Sequence, residues 1–229
     1  MSDGSPLPEI AILLGGREMD TKEAPQFLLI IREWLRRGSD EAYDVNESQL
    51  AAVSAAMKCP HPYLALVSMA SPGEVWWFNA FALRDEKDDL EAAYARNEPL
   101  MDAMRPLGRR KEDFRETFTS IMTEYRPELS GGAVLRINGA RFFVINTSPN
   151  EGESTGAVFE SDEGQRFGIA SAYDGATAEQ IARRSGPSAV ILRVKPQWSF
   201  PDASWIDADP AFWDSTPAAR RRIDGRDSM

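Results

Sequence analysis

The sequence predicts an α+β fold, with a βαββα unit in its first half and β-hairpins in its second. Three observations predict it. An apolar, β-branched run at 27–31 is followed by a helix-period segment at 41–58 that stops at Cys59-Pro60-His61-Pro62. Two aromatic or β-branched runs, 63–69 and 75–81, flank the turn signal Ser71-Pro72-Gly73. The second half alternates short apolar runs with Asn-Gly and Asp-Glu-Gly turns.

Residues 1–25 are rich in Gly, Pro and charge, and Ile10 to Leu14 reads either as an edge strand or as a short helix. Residues 26–35, QFLLIIREWL, read as a strand, apolar on both faces in its first half as for a central position. Arg36 to Asp40 form a polar turn, with Ser39 or Asp40 placed to cap the next helix. In the helix 41–58, Tyr43, Leu50, Val53 and Met57 share one face. A second helix starts near Asp85, is kinked or restarted at Pro99 after Asn97, and ends at Arg105-Pro106-Leu107-Gly108. A third helix is expected over 110–125, with Phe114, Phe118, Ile121 and Tyr125 on one stripe.

Beyond residue 130, Ala133 to Ile137 and Ala140 to Ile145 are expected to pair around Asn138-Gly139. A polar loop covers 146–155, and a second hairpin joins Ala157–Glu160 to Gln165–Ala172. A short helix, Thr177 to Ser185, stops at Gly186, and Ala189 to Val194 is the last strand. The segment after Pro196 carries Trp198, Phe200, Trp205, Phe212 and Trp213 and is expected to pack on the body. The last dozen residues, with Arg220 to Arg222, read as a disordered tail. The chain divides into an extension (1–25), an α+β domain (26–126), a β-rich second half (127–198) and the aromatic tail (199–229).

Composition narrows the function. With 26 basic and 36 acidic residues the net charge is −10, which disfavours broad binding to nucleic acid or to anionic membranes. Cys59 is the one cysteine, so no intrachain disulfide forms, and that fits a reducing compartment. No signal-peptide pattern or spanning run is legible, and the expectation is a cytoplasmic, bacterial-type protein. One His, one Cys and scattered carboxylates offer no metal-ligand spacing, so no metal is expected. No G-x-S-x-G context and no Gly-rich loop after a strand is present.

The order β-α-β-β-α over 26–105 is the front of a ferredoxin-like fold. The segments FLLIIREWLRRGSDEAYD and HPYLALVSMASPGEVWWFNAFALRDEKDDLEAAYARNEPLMDAMRPLGRRKEDF resemble the antibiotic-biosynthesis-monooxygenase-like, dimeric α+β barrel proteins. The resemblance rests on element order and aromatic-rich strands. Residues 131–195 resemble a degenerate second copy lacking its first helix. The resemblance implies a sheet with helices on one face and a second sheet on the other, supplied by a homodimer partner or, as an internal pseudo-dimer, by the second half. It also implies a pocket between sheet and helices for a small apolar or aromatic molecule. Activities in the superfamily range from cofactor-independent oxygenation to haem degradation, so fold analogy carries little functional weight.

Strand alternation puts Val75, Trp77, Asn79 and Phe81 on one face and Trp76, Phe78 and Ala80 on the other. A lone amide among aromatics is costly to bury unpaired. The superfamily's cofactor-free oxygenases use an Asn and a Trp on their substrate, and Trp77 and Asn79 are the positions that match. The plainer reading of Asn79 is an amide bonded to a neighbouring backbone or side-chain group. Arg32 beside Trp34 suits an anionic ligand or an ordinary ion pair and cation–π contact. Tyr43 and Tyr94 line a pocket or simply pack. His61 beside Cys59 reads as a boundary turn, and the second helix has no histidine for a haem iron. No cofactor is expected. The alternative function is a non-catalytic binding or assembly protein whose aromatic strands only bury surface.

Overall fold

A computed structural model describes residues 24–149 and 155–219. The Ile10–Leu14 run and the Arg220–Arg222 cluster lie outside them. The eight strands, numbered in chain order, are β1 (Phe27–Leu35), β2 (Leu64–Ser68), β3 (Glu74–Phe81), β4 (Arg115–Tyr125), β5 (Phe142–Asn146), β6 (Ala157–Ser161), β7 (Arg166–Ala172) and β8 (Ala189–Val194). They close a barrel in the order β1-β3-β2-β8-β5-β7-β6-β4. Helices α1 (Asp40–Ala56), α2 (Glu86–Arg96) and α3 (Glu98–Phe114) belong to the first half. The second half carries α4 (Gly175–Ser185), and the tail carries α5 (Ala203–Ala208) and α6 (Pro210–Trp213).

The strand order contains the same motif twice. In the first half the sheet runs β4-β1-β3-β2, and in the second it runs β8-β5-β7-β6. Each is a ferredoxin-like sheet. Between β5 and β6 no helix is found among the described residues, where the first copy has α1. The two sheets are joined by equivalent seams, β2 with β8 and β4 with β6. The covering sheet therefore comes from the chain's own second half, and the α+β barrel is an internal pseudo-dimer.

Alternation sorts the side chains as the strands require. Leu28, Ile30, Trp76, Phe78, Phe143, Ile145, Phe159 and Ile169 point into the barrel and form its main core with Trp205 and Trp213 of the tail. The outer face of the first sheet holds Val75 and Trp77 against Tyr43 of α1 and Trp198 of the tail. Asp209 anchors the tail, since Arg141 donates to both its carboxylate oxygens at 2.8 and 3.0 Å. The β2–β3 turn needs glycine, because Gly73 sits at φ +79 with Leu35 Cβ 3.6 Å from where its own Cβ would be.

Four expectations are corrected. Residues 110–125 are not one helix. Helix α3 continues through Pro106 to Phe114, and 115–125 is the long strand β4. Thr117, Thr119, Ile121 and Thr123 alternate along it and face Trp34, Arg32, Ile30 and Leu28 of β1. The break at Asn97 is real, and its side chain accepts the Leu100 N–H at 3.2 Å to start α3. Ala133–Ile137 forms no strand beside Asn138-Gly139, because β7 and β8 occupy both edges of β5. Ser39 does precede α1, but its hydroxyl donates to the Arg36 and Phe114 carbonyls and caps no helix N–H. On α1 the buried stripe is Tyr43, Glu47, Leu50 and Ser54, whereas Met57 is 39% exposed.

Candidate functional site

The helix-facing side of the first sheet carries an unusually polar seam. It starts on β1, where Glu33 lies on the opposite side from Arg32 and is 2% exposed. The Tyr43 hydroxyl of α1 donates to Glu33 Oε2 at 2.5 Å. Lys111 Nζ of α3 and Arg115 of β4 reach Glu33 Oε1 at 3.1 and 3.3 Å. One helical turn on from Tyr43, Glu47 is equally buried and meets Lys111 at 3.5 Å. The Asn46 amide donates to Glu47 at 3.4 Å and to the Leu107 carbonyl at 3.2 Å, while its own oxygen has no partner among the described residues.

Trp77 forms the floor beneath this group. Lys111 Nζ stands 4.2 Å from the Trp77 ring centroid and 5.5 Å from that of Tyr43. The Trp77 indole N–H is buried, lies near enough the Tyr43 oxygen to favour its ionised form, and closes no hydrogen bond among the described residues. Burial nevertheless dominates at Tyr43, with Glu47 and Glu33 adding to it, so its hydroxyl stays protonated far above the ordinary range. Burial also raises Glu47, and Lys111 offsets only part of that.

Asn79 lies next along β3 on the same face as Trp77. Its amide is half-buried, and among the described residues its side chain makes no hydrogen bond. The plainer expectation, an amide satisfied by a neighbour, has no such neighbour here. Tyr63 stands beside it at the start of β2, 5.9 Å ring to ring from Trp77, with its hydroxyl 3.1 Å from Ser54 of α1. Beyond them Tyr94 of α2 meets the Cys59 sulfur at 2.9 Å. Burial raises both Tyr63 and Tyr94, so these hydroxyls too are hydrogen-bond donors at neutral pH.

The residues singled out from sequence fall into two places. Trp77, Asn79, Tyr43 and Tyr94 share the helix-covered side of the first sheet. Arg32 and Trp34 are on the other side, within the barrel. There the Arg32 guanidinium pairs with buried Glu74 at 2.6 Å and lies 4.3 and 4.8 Å from the Trp34 and Trp76 ring centroids. Sequence reasoning missed Glu33, Asn46, Glu47, Lys111 and Arg115. The signal available was the α1 stripe, which places Glu47 and Ser54 at i+4 and i+11 from Tyr43, the same face as Leu50.

His61 and Cys59 do not pair through their side chains. The thiol reaches the His61 carbonyl at 3.5 Å, and the imidazole stacks on Phe81 at 4.6 Å. Burial lowers the His61 pKa below 6.5, against a small opposing effect of Glu86. A histidine depressed in the folded state adds stability above the unfolded pKa and loses it as pH falls. Because it is the single histidine, its ring protons in a proton NMR titration are expected to show a midpoint below 6.5. A midpoint at or above that value would mean the ring is solvated.

Among the described residues, no group of three or more His, Cys, Asp and Glu is placed to hold a metal ion. No described helix is long and apolar enough to cross a membrane.

No family model and no curated protein matches the sequence. Solved structures similar to it include a monooxygenase candidate from Fusobacterium nucleatum, at 9% identity and TM-score 0.45, covering 75% of this chain and 93% of that one. Another monooxygenase candidate, from Lactobacillus acidophilus, shows 9% identity and TM-score 0.39 over 90% of this chain and 89% of the other. An anthrone oxidase-like protein shows 13% identity and TM-score 0.39 over 90% and 86%. Similarity at this level adds nothing to the barrel's own strand order.

Proposed function

We propose that the chain binds a small aromatic or enolisable molecule on the helix-covered face of its first sheet, against Trp77 and Asn79. The half-buried Asn79 amide, without a side-chain partner among the described residues and flanked by Trp77 and Phe81, carries this reading. Its N–H donors suit a ligand carbonyl or enolate oxygen, and the indole gives a flat apolar wall. Tyr43 and Tyr94 border the site on the helix side, with their hydroxyls already bonded to Glu33 and Cys59. Arg32 and Trp34 would belong to a separate contact at the barrel interior. If the site is catalytic, the reaction we propose is cofactor-independent oxidation, in which an enolisable methylene and O2 give a carbonyl and water.

Calorimetric titration with 2-naphthol tests this. Saturable binding is expected, weakened about tenfold in Asn79→Ala, as the loss of one hydrogen bond of about 1.4 kcal/mol implies. Absence of heat, or an unchanged affinity in Asn79→Ala, sinks the reading.

A second reading has its own support. Trp76, Trp77, Trp205 and Trp213 are 1, 7, 9 and 3% exposed, as expected if the aromatic residues only pack the two halves together. Under it Trp77→Ala lowers stability, and no aromatic ligand binds to either form.

A further inference from the structure

The two buried carboxylates of the seam are not equivalent, and from their surroundings we infer that Glu47 is the proton acceptor for the ligand held against Trp77. Glu33 serves as the fixed anion beside it. This inference rests on the binding reading above and assigns the chemistry of that site.

The partners of each group distinguish them. Glu33 accepts from Tyr43 at 2.5 Å, from Lys111 at 3.1 Å and from Arg115 at 3.3 Å. Three donors, two of them cationic, hold its charge in place. Among the described residues, Glu47 has only the Asn46 amide at 3.4 Å and a share of Lys111 at 3.5 Å. Both are almost wholly buried. Of two neighbouring carboxylates with one good cage between them, the poorly caged one takes the proton. The titratable groups facing Glu47 come from the elements packed around it: Lys111 from α3, Glu33 from β1, and the neutral hydroxyls of Tyr43 on α1 and of Tyr63 just before β2, while Arg115 of β4 pairs with Glu33 instead. Burial and Glu33 both favour the protonated form of Glu47, and Lys111 opposes them.

The site then moves one proton without changing its total charge. The ligand's acidic O–H or C–H bond breaks, a new O–H bond forms on Glu47, and the electron pair stays on the ligand as phenolate or enolate. Lys111, no longer neutralised by Glu47, faces that anion from above Trp77, 4.2 Å from the ring centroid. The class of ligand is accordingly a weak carbon or oxygen acid with an aromatic face. The Asn46 oxygen, buried and without a partner among the described residues, belongs to the same amide whose N–H reaches Glu47.

4-Nitrophenol reports this directly, because its phenolate is yellow and its phenol is not. Bound to the full-length chain, the probe is expected to be deprotonated at pH values at least one unit below its midpoint in water. With Glu47 as acceptor the proton stays in the site, so titration calorimetry in buffers of different ionisation enthalpy should count no proton released as the colour appears, whereas Glu47→Gln, lacking the acceptor, should give colour only with one proton released to the buffer. Lys111→Met should bind it with the midpoint moved upward, since the cation that stabilises the anion is gone. If the probe binds with its midpoint unchanged from water, or if the wild-type chain releases a proton to the buffer as the colour appears, Glu47 is not the acceptor although the site stands. If 4-nitrophenol does not bind the wild-type chain at all, the site reading itself falls, and this assignment with it.

Discussion

Replacing Trp76 with alanine is expected to lower stability by about 3–5 kcal/mol, the range for deleting a large aromatic from a packed core. Trp76 is 1% exposed and points into the barrel among Leu66, Phe78 and residues of the second sheet. Its loss would be felt beyond volume. The indole N–H donates to Glu74 at 2.9 Å, and Glu74 in turn holds Arg32, whose guanidinium packs on the same ring. Urea denaturation followed by circular dichroism measures the change. A loss below about 1 kcal/mol would show that the barrel interior collapses around the gap, which a close-packed core does not do.

Glu33→Ala is the second large effect, with about 3 kcal/mol lost at neutral pH. Removing one member of a buried ion pair leaves the remaining charges without compensation, which costs about 3–5 kcal/mol in fully buried cases. The lower end applies here because the cations reach water in part, Lys111 and Arg115 being 17 and 19% exposed. The Tyr43 hydroxyl, by contrast, has no route to solvent, since Tyr43 is fully buried. Chemical denaturation of Glu33→Ala and Glu33→Gln side by side separates the contributions. Gln can still accept from Tyr43, so it should recover part of the loss. Equal and negligible losses in both variants would mean that the seam contributes nothing to folding.

The first half of the fold was legible because several local signals agreed there. In β3 the alternation of Trp77 and Asn79 with Trp76 and Phe78 matched a strand covered on both sides, and the Pro-Gly turn fixed its hairpin with β2. Strand β4 was misread because Phe114, Phe118, Ile121 and Tyr125 satisfy a helical spacing by coincidence. Phe118 is in fact 49% exposed. The competing signal was the alternation of Thr117, Thr119, Ile121 and Thr123, which is weak when threonine carries it. The Asn138-Gly139 turn forms, with Gly139 at φ +72, but the hairpin expected around it failed for a non-local reason, since its preceding run had no vacant strand edge to join. The carboxylate seam was hidden for a different one. Glu47 on an amphipathic helix reads as solvated by default, and only the approach of Lys111 from α3, which is 64 positions further along, shows otherwise. The Arg32–Trp34 pair was seen correctly as neighbours, yet nothing in the sequence says that Glu74 already holds the arginine.

Containing both sheets in one chain also changes what a substitution means. In a barrel made of two identical subunits, each replacement is made twice, once on either side of the symmetry axis, and both copies must tolerate it. Here it is made once. Glu33, Glu47 and Lys111 have no obligation to be repeated beside β5, and α1 can keep its polar stripe without a matching one in the second half. One half is thus free to act as scaffold, small and apolar where α4 covers Val144 and Ala172. The other can hold groups that would be too costly to bury in duplicate.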